Sequence, residues 1–235
     1  MRVWEAAVDF AGGSVPIIAG VGTNNTKTTI HNVKLAEEIG VDGLLVVTPY
    51  YNKPNQKGLL AHFKEVASAT ELPIIVYNIP GRTGVGFELE TLAELMREKN
   101  IVGIKDSSGD LNLLTELKKI APADFALYTG DDMNYLDVLR LGGAGVISVA
   151  AHVVGLQMLQ IFELLSRGEV DQAIALNEKL RPVYQTMFHT TNPIPLKSIL
   201  NKLGHNIGSL RSPLVELDTF ETEELFEQIK HLIDR

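Results

Sequence analysis

The sequence predicts an α/β protein of the (β/α)8 TIM-barrel type with a C-terminal helical extension. Short apolar runs alternate strictly with amphipathic segments of helical period along the first part of the chain. The runs are apolar throughout, which is typical of parallel strands that helices cover on both faces. Distinctive polar and aromatic residues follow most runs at the same end, and a barrel builds its active site from such loops.

The first predicted elements are a helix over residues 1–11 and a strand over residues 15–20. Val3, Ala7 and Phe10 recur at helical spacing, and Gly12 and Gly13 end the helix. The polar triplet at 24–26 offers a cap for the next helix. The remaining predicted strands cover residues 43–49, 73–80, 100–105, 125–130 and 145–150, each followed by a helical segment.

The pattern beyond the last strand is purely helical. We expect helices over residues 156–165, 170–188 and 194–204, and a final helix with Leu225, Ile229 and Leu232 on its apolar face. We therefore predict a partial barrel over residues 1–166 and a helical extension over residues 167–235 that packs on it.

A doubly wound parallel sheet is the alternative architecture, because six strands suit it and a closed barrel needs eight. Such a sheet usually carries a glycine fingerprint after its first strand, and the segment Ala19–Asn24 lacks the third glycine. A barrel explains better why distinctive residues follow nearly every strand: 48–51, Tyr77 with Arg82, Lys105, 130–132 and Ile147.

Composition limits the classes of function. The 235 residues are 45% hydrophobic, which is enough for a sizeable core, and the net charge of -8 argues against nucleic acid or an anionic membrane as a partner. The chain has no cysteine, which excludes disulfides and thiolate nucleophiles. Acidic residues interrupt the N-terminal segment, and no apolar run has the length of a membrane span. We expect a cytoplasmic protein.

Lys105 is the first candidate for chemistry because it ends the apolar run that starts at Asn100. Burying an ammonium group is costly unless the group is paired or neutralised. A lysine amine held in apolar surroundings becomes a nucleophile. The sequence therefore predicts covalent catalysis at Lys105, and the alternative is a strand-end lysine that reaches solvent.

Tyr77, Arg82 and Gly130 stand at the same predicted end. If Tyr77 faces the barrel interior, it lies near Lys105 and can relay protons; otherwise it is a half-buried aromatic residue. Arg82 lies in a glycine-bracketed loop and suits a carboxylate, unless it is an ordinary solvated arginine. Gly130 has no side chain and lets a small substrate approach the backbone.

Asp131 and Asp132 raise the alternative of a site for a hard metal ion. Asp106 is the main further carboxylate at a strand end, and the six histidines lack ligand spacing. We therefore predict that the aspartate pair caps the following helix and that no metal is bound.

The motifs of the chain resemble those of the dihydrodipicolinate synthase family, within the pyruvate-dependent class I aldolase and lyase superfamily that includes N-acetylneuraminate lyase. The resemblance extends along nearly the whole chain. It is carried by Val47–Pro54, Val76–Gly84, Gly103–Asp106, Gly130–Asp132, Gly145–Val149 and Asn192–Pro195.

The resemblance implies a lyase of lysine and diaminopimelate biosynthesis that condenses pyruvate with L-aspartate 4-semialdehyde. It implies that Lys105 forms a Schiff base with pyruvate and that Tyr77 donates and accepts the proton. Tyr51 would complete a hydroxyl relay and reach into the site of a neighbouring subunit. The family needs no cofactor beyond this covalent intermediate, and it suggests a homotetramer built as a dimer of dimers.

The resemblance also implies how the substrates are held. Arg82 would orient the relay and meet the carboxylate of the second substrate, which favours the synthase over a sialic acid lyase. Gly130 and Ile147 would line the pyruvate pocket through their backbones. Tyr50 and Asn24 fit the effector pocket of the family for lysine. Thr28 stands where sensitive members carry glutamate, so we expect insensitivity to lysine.

The chain also departs from the family pattern at its start. Family members begin with two more βα units, and the second carries a Gly-Thr-Thr-Gly-Glu loop that is absent here. We therefore expect a barrel without its first two strands and weak or absent turnover. The alternatives are another pyruvate-dependent aldolase such as N-acetylneuraminate lyase, a catalytically incompetent fragment or partner subunit, and a metal-dependent barrel lyase.

Overall fold

The computed structural model describes residues 2–233, which form two compact units. The first unit comprises the residues up to Gly130 together with Leu141–Ala144, and the second comprises Asp131–Arg140 together with the residues from Gly145 onward. These units follow a different division from the predicted boundary at residue 166, which stays a prediction. Each unit has its own apolar core.

A parallel sheet forms the centre of the first unit. Its strands are β1 (Ile18–Gly20), β2 (Gly43–Val47), β3 (Ile74–Asn78), β4 (Ile101–Asp106) and β5 (Ala126–Thr129). Each strand from β1 to β4 pairs in parallel with the next one along the chain. The predicted parallel α/β architecture is therefore confirmed, and the partial (β/α)8 barrel without its first two strands stays a prediction.

Helices connect these strands, as the apolar periodicity predicts. They are α1 (Arg2–Ala11), α2 (Thr26–Ile39), α3 (Gln56–Ser68), α4 (Pro80–Thr83), α5 (Leu89–Leu95) and α6 (Leu111–Ile120). The cap of α2 is Asn25, whose side chain accepts a hydrogen bond from the Thr28 amide. Gly40 ends α2 at φ 87°, a left-handed conformation that costs glycine little.

The N-terminal helix α1 forms as predicted but uses a different face. Trp4 and Val8 pack against the core of the first unit. Val3 and Phe10, which mark the helical period in the sequence, are 73% and 92% exposed. The periodicity therefore identified the helix correctly but not the side that packs.

The second unit is mainly helical. It contains a 3-10 turn (Asp132–Asn134), α7 (Tyr135–Arg140), β6 (Gly145–Val146), α8 (Ala151–Ser166), α9 (Val170–Met187), α10 (Ile194–Lys202) and α11 (Thr219–Ile229). The predicted strand 145–150 is wrong beyond Val146. The Asp132 carboxylate accepts hydrogen bonds from the amides of Val149 and Ala150, and α8 begins directly after them. The predicted start of this helix at residue 156 is therefore five residues late.

Within residues 2–233, no helix combines the length and the apolar character that crossing a bilayer requires.

Candidate active site

Lys105 and Tyr77 lie side by side on neighbouring strands. The register of β3 and β4 places Tyr77 opposite Lys105, and the lysine Nζ lies 4.0 Å from the centre of the tyrosine ring. This distance is within the range of a cation–π contact, which holds the ammonium against an aromatic face. Both residues are partly buried. The predicted closeness of these two residues is therefore observed.

Gly130 provides the space that the Lys105 side chain occupies. A Cβ atom at position 130 would overlap Ser107 Oγ and would lie 2.5 Å from Lys105 Cε. Carbon atoms in contact lie 3.5–4.0 Å apart, so a larger residue at this position would displace the lysine. The structure shows Lys105 and Ser107 beside Gly130, and the predicted approach of a substrate to this glycine stays a prediction.

A second cross-strand pair supports the first one. Asn78 follows Tyr77 and Asp106 follows Lys105, and these two buried residues are also opposite each other in the register. Asn78 Nδ2 donates a 2.7 Å hydrogen bond to Asp106 Oδ1, and Asn78 Oδ1 accepts one from the Phe87 amide. The pair therefore fixes the ends of β3 and β4 to each other directly beside Tyr77 and Lys105.

The Asp106 carboxylate also orders the turn that follows Lys105. Its Oδ2 atom accepts hydrogen bonds from the amide and the hydroxyl of Ser108, at 3.1 and 2.7 Å. Burial raises the pKa of Asp106, and the hydrogen bonds from Ser108 and Asn78 act in the opposite direction. Ser108 Oγ in turn accepts a bond from the amide of Asp110, which caps α6. From the sequence, Asp106 was proposed only as a possible metal ligand, and its role in ordering this turn was not predicted.

Arg82 lies on the short helix α4, in a loop that buried hydroxyls hold in place. Thr48 Oγ1 donates to Thr83 Oγ1 at 3.2 Å, and Thr83 Oγ1 donates to the carbonyl oxygen of Val85 at 2.8 Å. Gly84 ends the helix at φ 74°. Arg82 itself is exposed.

Tyr51 has an unusual environment for a large aromatic residue. It is 89% exposed, and its φ of 73° lies in the left-handed region that non-glycine residues rarely adopt. The next residue, Asn52, contacts both predicted effector residues. Its Nδ2 atom donates a 2.9 Å hydrogen bond to the Asn24 carbonyl, and its amide donates to the Tyr50 carbonyl. The structure thus joins the loops of Tyr50 and Asn24 and leaves Tyr51 in solvent.

Ile147 belongs to the second unit, where it follows β6. Asp132 holds the residues after it, since its Oδ2 atom accepts from the amides of Val149 and Ala150 at 3.2 and 2.9 Å. Burial raises the pKa of Asp132, while hydrogen bonds from Ser148 and these amides lower it.

The aspartate pair was predicted to cap the following helix, and only one of the two residues does so. Asp131 accepts from the Met133 amide at 3.0 Å and caps the 3-10 turn. Asp132 binds the amides beyond β6 instead. Among residues 2–233, no group of three or more His, Asp or Glu side chains is arranged to hold a metal ion.

Ser107 and the Asn78–Asp106 pair were missed by the sequence reasoning. Their positions in the sequence could have identified them, because each lies one or two residues after Tyr77 or Lys105, which were predicted to be catalytic. Residues that alternate along adjacent strands meet their counterparts across the register.

Comparison with known proteins gives a consistent result. The profile of the Dihydrodipicolinate synthetase family matches residues 1–232. A relative from Halalkalibacterium halodurans named 4-hydroxy-tetrahydrodipicolinate synthase 1 is 46% identical over 225 residues, which are 96% of this chain and 76% of the relative.

Solved structures agree with this result. The crystal structure of dihydrodipicolinate synthase from Thermotoga maritima matches with a TM-score of 0.95 and 39% identity, over 98% of this chain and 80% of that chain. A dihydrodipicolinate synthase variant described as the first monomeric one also matches with a TM-score of 0.95 and 39% identity, over 98% of this chain and 78% of that chain.

Proposed function

Because the chain belongs to the dihydrodipicolinate synthetase family, we propose that it is a lyase of the 4-hydroxy-tetrahydrodipicolinate synthase type. It condenses pyruvate with L-aspartate 4-semialdehyde in lysine and diaminopimelate biosynthesis. The observation that carries this proposal is the Lys105 Nζ atom, 4.0 Å from the centre of the Tyr77 ring at matched positions of two parallel strands. An amine in this position can form a Schiff base with a ketone, and the phenol beside it can move the protons that the reaction requires.

The Lys105 ammonium first loses a proton to water. The neutral amine then attacks the ketone carbon of pyruvate, and the ketone oxygen takes up a proton to give the carbinolamine. Tyr77 relays protons so that the carbinolamine loses its hydroxyl as water and leaves an imine. Tyr77 takes up a methyl proton, which converts the imine to an enamine. The enamine carbon then bonds to the aldehyde carbon of the second substrate, the aldehyde oxygen takes up a proton and becomes a hydroxyl, and the imine forms again. The amine of that substrate then attacks the imine carbon, which closes the ring and releases Lys105. This sequence uses the covalent Schiff base and no further cofactor.

The substrate contacts follow from charge and shape. Arg82 is exposed and permanently cationic, so it suits the carboxylate of aspartate semialdehyde. We assign pyruvate to the end of the Lys105 side chain, which lies beside Gly130. The resemblance to the family assigns Ile147 a backbone contact with pyruvate.

We propose that the working enzyme is a cytoplasmic homo-oligomer, a dimer of dimers. Tyr51 supports this proposal, because a tyrosine that is 89% exposed in a strained backbone conformation suits a contact with another subunit. In that contact it completes the hydroxyl relay of the neighbouring site. Tyr50 and Asn24 form the effector pocket, in which Thr28 replaces an acidic group, so millimolar lysine leaves the rate unchanged.

The finer architecture belongs to the same proposal. The strands correspond to six of the eight strands of a (β/α)8 barrel, and residues 167–235 form its helical extension. The likeness to the Thermotoga maritima enzyme, at a TM-score of 0.95 over 80% of that chain, supports this assignment.

The decisive experiment is the intact mass of the protein after incubation with pyruvate and borohydride. We expect a single reduced adduct that maps to Lys105 and is lost in Lys105→Ala. Lys27→Ala, at an exposed position of α2, is the matched control and keeps the adduct. A folded protein without an adduct would overturn the proposal. An adduct with turnover of another aldehyde, and none with aspartate semialdehyde, would identify a different pyruvate-dependent aldolase.

A further inference from the structure

Ser107 shares its side of the strand with Lys105. It lies two residues further along the chain, and its amide donates a 2.7 Å hydrogen bond to the Asn78 carbonyl, which continues the ladder between β3 and β4. Side chains two residues apart on an extended segment point to the same face. The Ser107 hydroxyl therefore belongs to the Lys105 side of the strand, opposite to the side of Asp106.

The Ser107 hydroxyl is buried and has no hydrogen-bond partner among residues 2–233. The next residue behaves differently, because Ser108 Oγ donates to Asp106 and accepts from Asp110. Buried hydroxyls in folded proteins nearly always have a partner, and an exception calls for an explanation. Ser107 is the exception beside the reactive lysine.

The hydroxyl lies next to the reactive end of Lys105. A Cβ atom on Gly130 would meet both Ser107 Oγ and Lys105 Cε, so these two atoms occupy neighbouring positions above the glycine. The Nζ atom is one bond beyond Cε. A group that is bonded to Nζ can therefore reach the Ser107 hydroxyl.

We propose that the Ser107 hydroxyl donates a hydrogen bond to the carboxylate of the 2-oxo acid that is bonded to Lys105. Once water has left, the protonated imine nitrogen has no free lone pair, and the carboxylate oxygens are the acceptors that remain on pyruvate. A hydroxyl that donates to a carboxylate forms a charge-assisted hydrogen bond. This assignment rests on the proposed function, because it requires the Schiff base at Lys105.

The test compares Ser107→Ala with Ser108→Ala, which removes the adjacent hydroxyl. Two quantities are measured for each protein: the pyruvate concentration that gives half-maximal borohydride adduct, and the midpoint of thermal unfolding. For Ser107→Ala we expect the pyruvate concentration to rise about 10-fold, the effect of one good hydrogen bond, with an unfolding midpoint at or above that of the wild type. For Ser108→Ala we expect a lower midpoint, because Asp106 and Asp110 each lose a partner.

The outcomes separate this inference from the proposed function. If the wild type gives no adduct, both are overturned. If the wild type gives an adduct and Ser107→Ala requires the same pyruvate concentration, the inference alone is overturned. A lower unfolding midpoint for Ser107→Ala with unchanged pyruvate dependence would assign the hydroxyl a structural role and would also overturn the inference.

Discussion

Replacement of Gly130 by alanine tests whether the position of the reactive lysine depends on the lack of a side chain at residue 130. The added Cβ atom would overlap Ser107 Oγ and would lie 2.5 Å from Lys105 Cε. Since carbon atoms in contact are 3.5–4.0 Å apart, the lysine side chain must shift by about 1 Å or more. The backbone can stay in place because the nearest atoms belong to side chains.

The size of the effect follows from this shift. Overpacking of this kind costs about 1–3 kcal/mol of the free energy of unfolding. A displacement of about 1 Å of a reacting group lowers a rate about 100-fold. Gly130→Ala should therefore remain folded while the formation of the pyruvate adduct becomes about 100-fold slower.

The assay is the rate of adduct formation with pyruvate and borohydride, measured together with urea unfolding. Gly155→Ala is the matched control, because the nearest atom to its added Cβ is Ala151 Cβ at 3.9 Å, an ordinary contact distance. This control lies in α8 directly after Val154, whose non-helical φ of -137° interrupts the helix, so we expect only a small change in the free energy of unfolding. It should leave adduct formation unchanged.

Adduct formation at the wild-type rate in Gly130→Ala would refute the reasoning, because it would show that the lysine does not depend on the lack of a side chain at residue 130. A double variant provides a second check. Ser107→Ala removes the oxygen atom that the new methyl group overlaps, so adding it to Gly130→Ala should recover part of the lost stability. Strictly additive changes in the free energy of unfolding would contradict the contact.

Two further predictions concern buried polar groups of the first unit. Asn78→Ala leaves Asp106 Oδ1 and the Phe87 amide without the partner seen here, so urea unfolding should show a loss of about 2 kcal/mol; Asn52→Ala, at an exposed position, should lose little, and equal losses in the two variants would contradict the argument. His62 is buried, and burial lowers its pKa from 6.5 to about 4. Between these values the unfolded chain binds a proton that the folded protein does not, so the free energy of unfolding should fall by about 2 kcal/mol from pH 7 to pH 5. His62→Gln should remove this part of the slope, and an unchanged slope would refute the assignment.

The central strands were predictable because their residues are apolar without interruption. The predicted β1 and β6 were too long for a common reason. Carboxylates take amides that a longer strand would have paired: Asp42 Oδ2 accepts from Ile17 N, and Asp132 Oδ2 accepts from Val149 N. A periodicity analysis does not register a carboxylate many residues away along the chain.

The candidate site shows the same contrast. Tyr77 and Lys105 were expected to be close because each ends an apolar run, and the register of the strands places them opposite each other. Asn78 and Ser107 were not selected, since an asparagine and a serine at a strand end resemble ordinary turn residues. Their importance comes from a partner on the neighbouring strand for Asn78, and from the lack of a partner for Ser107 within the described chain.

Tyr51 has a consequence for attempts to engineer this protein. Its φ of 73° lowers the free energy of unfolding by about 1–2 kcal/mol relative to glycine. Its ring is exposed, so packing within one subunit offsets little of this loss. A screen that rewards only heat resistance of the single chain would therefore enrich glycine at position 51 early. The selected variants would be more heat-resistant but would lack the aromatic ring at this position. Such a screen should therefore be combined with a selection for turnover.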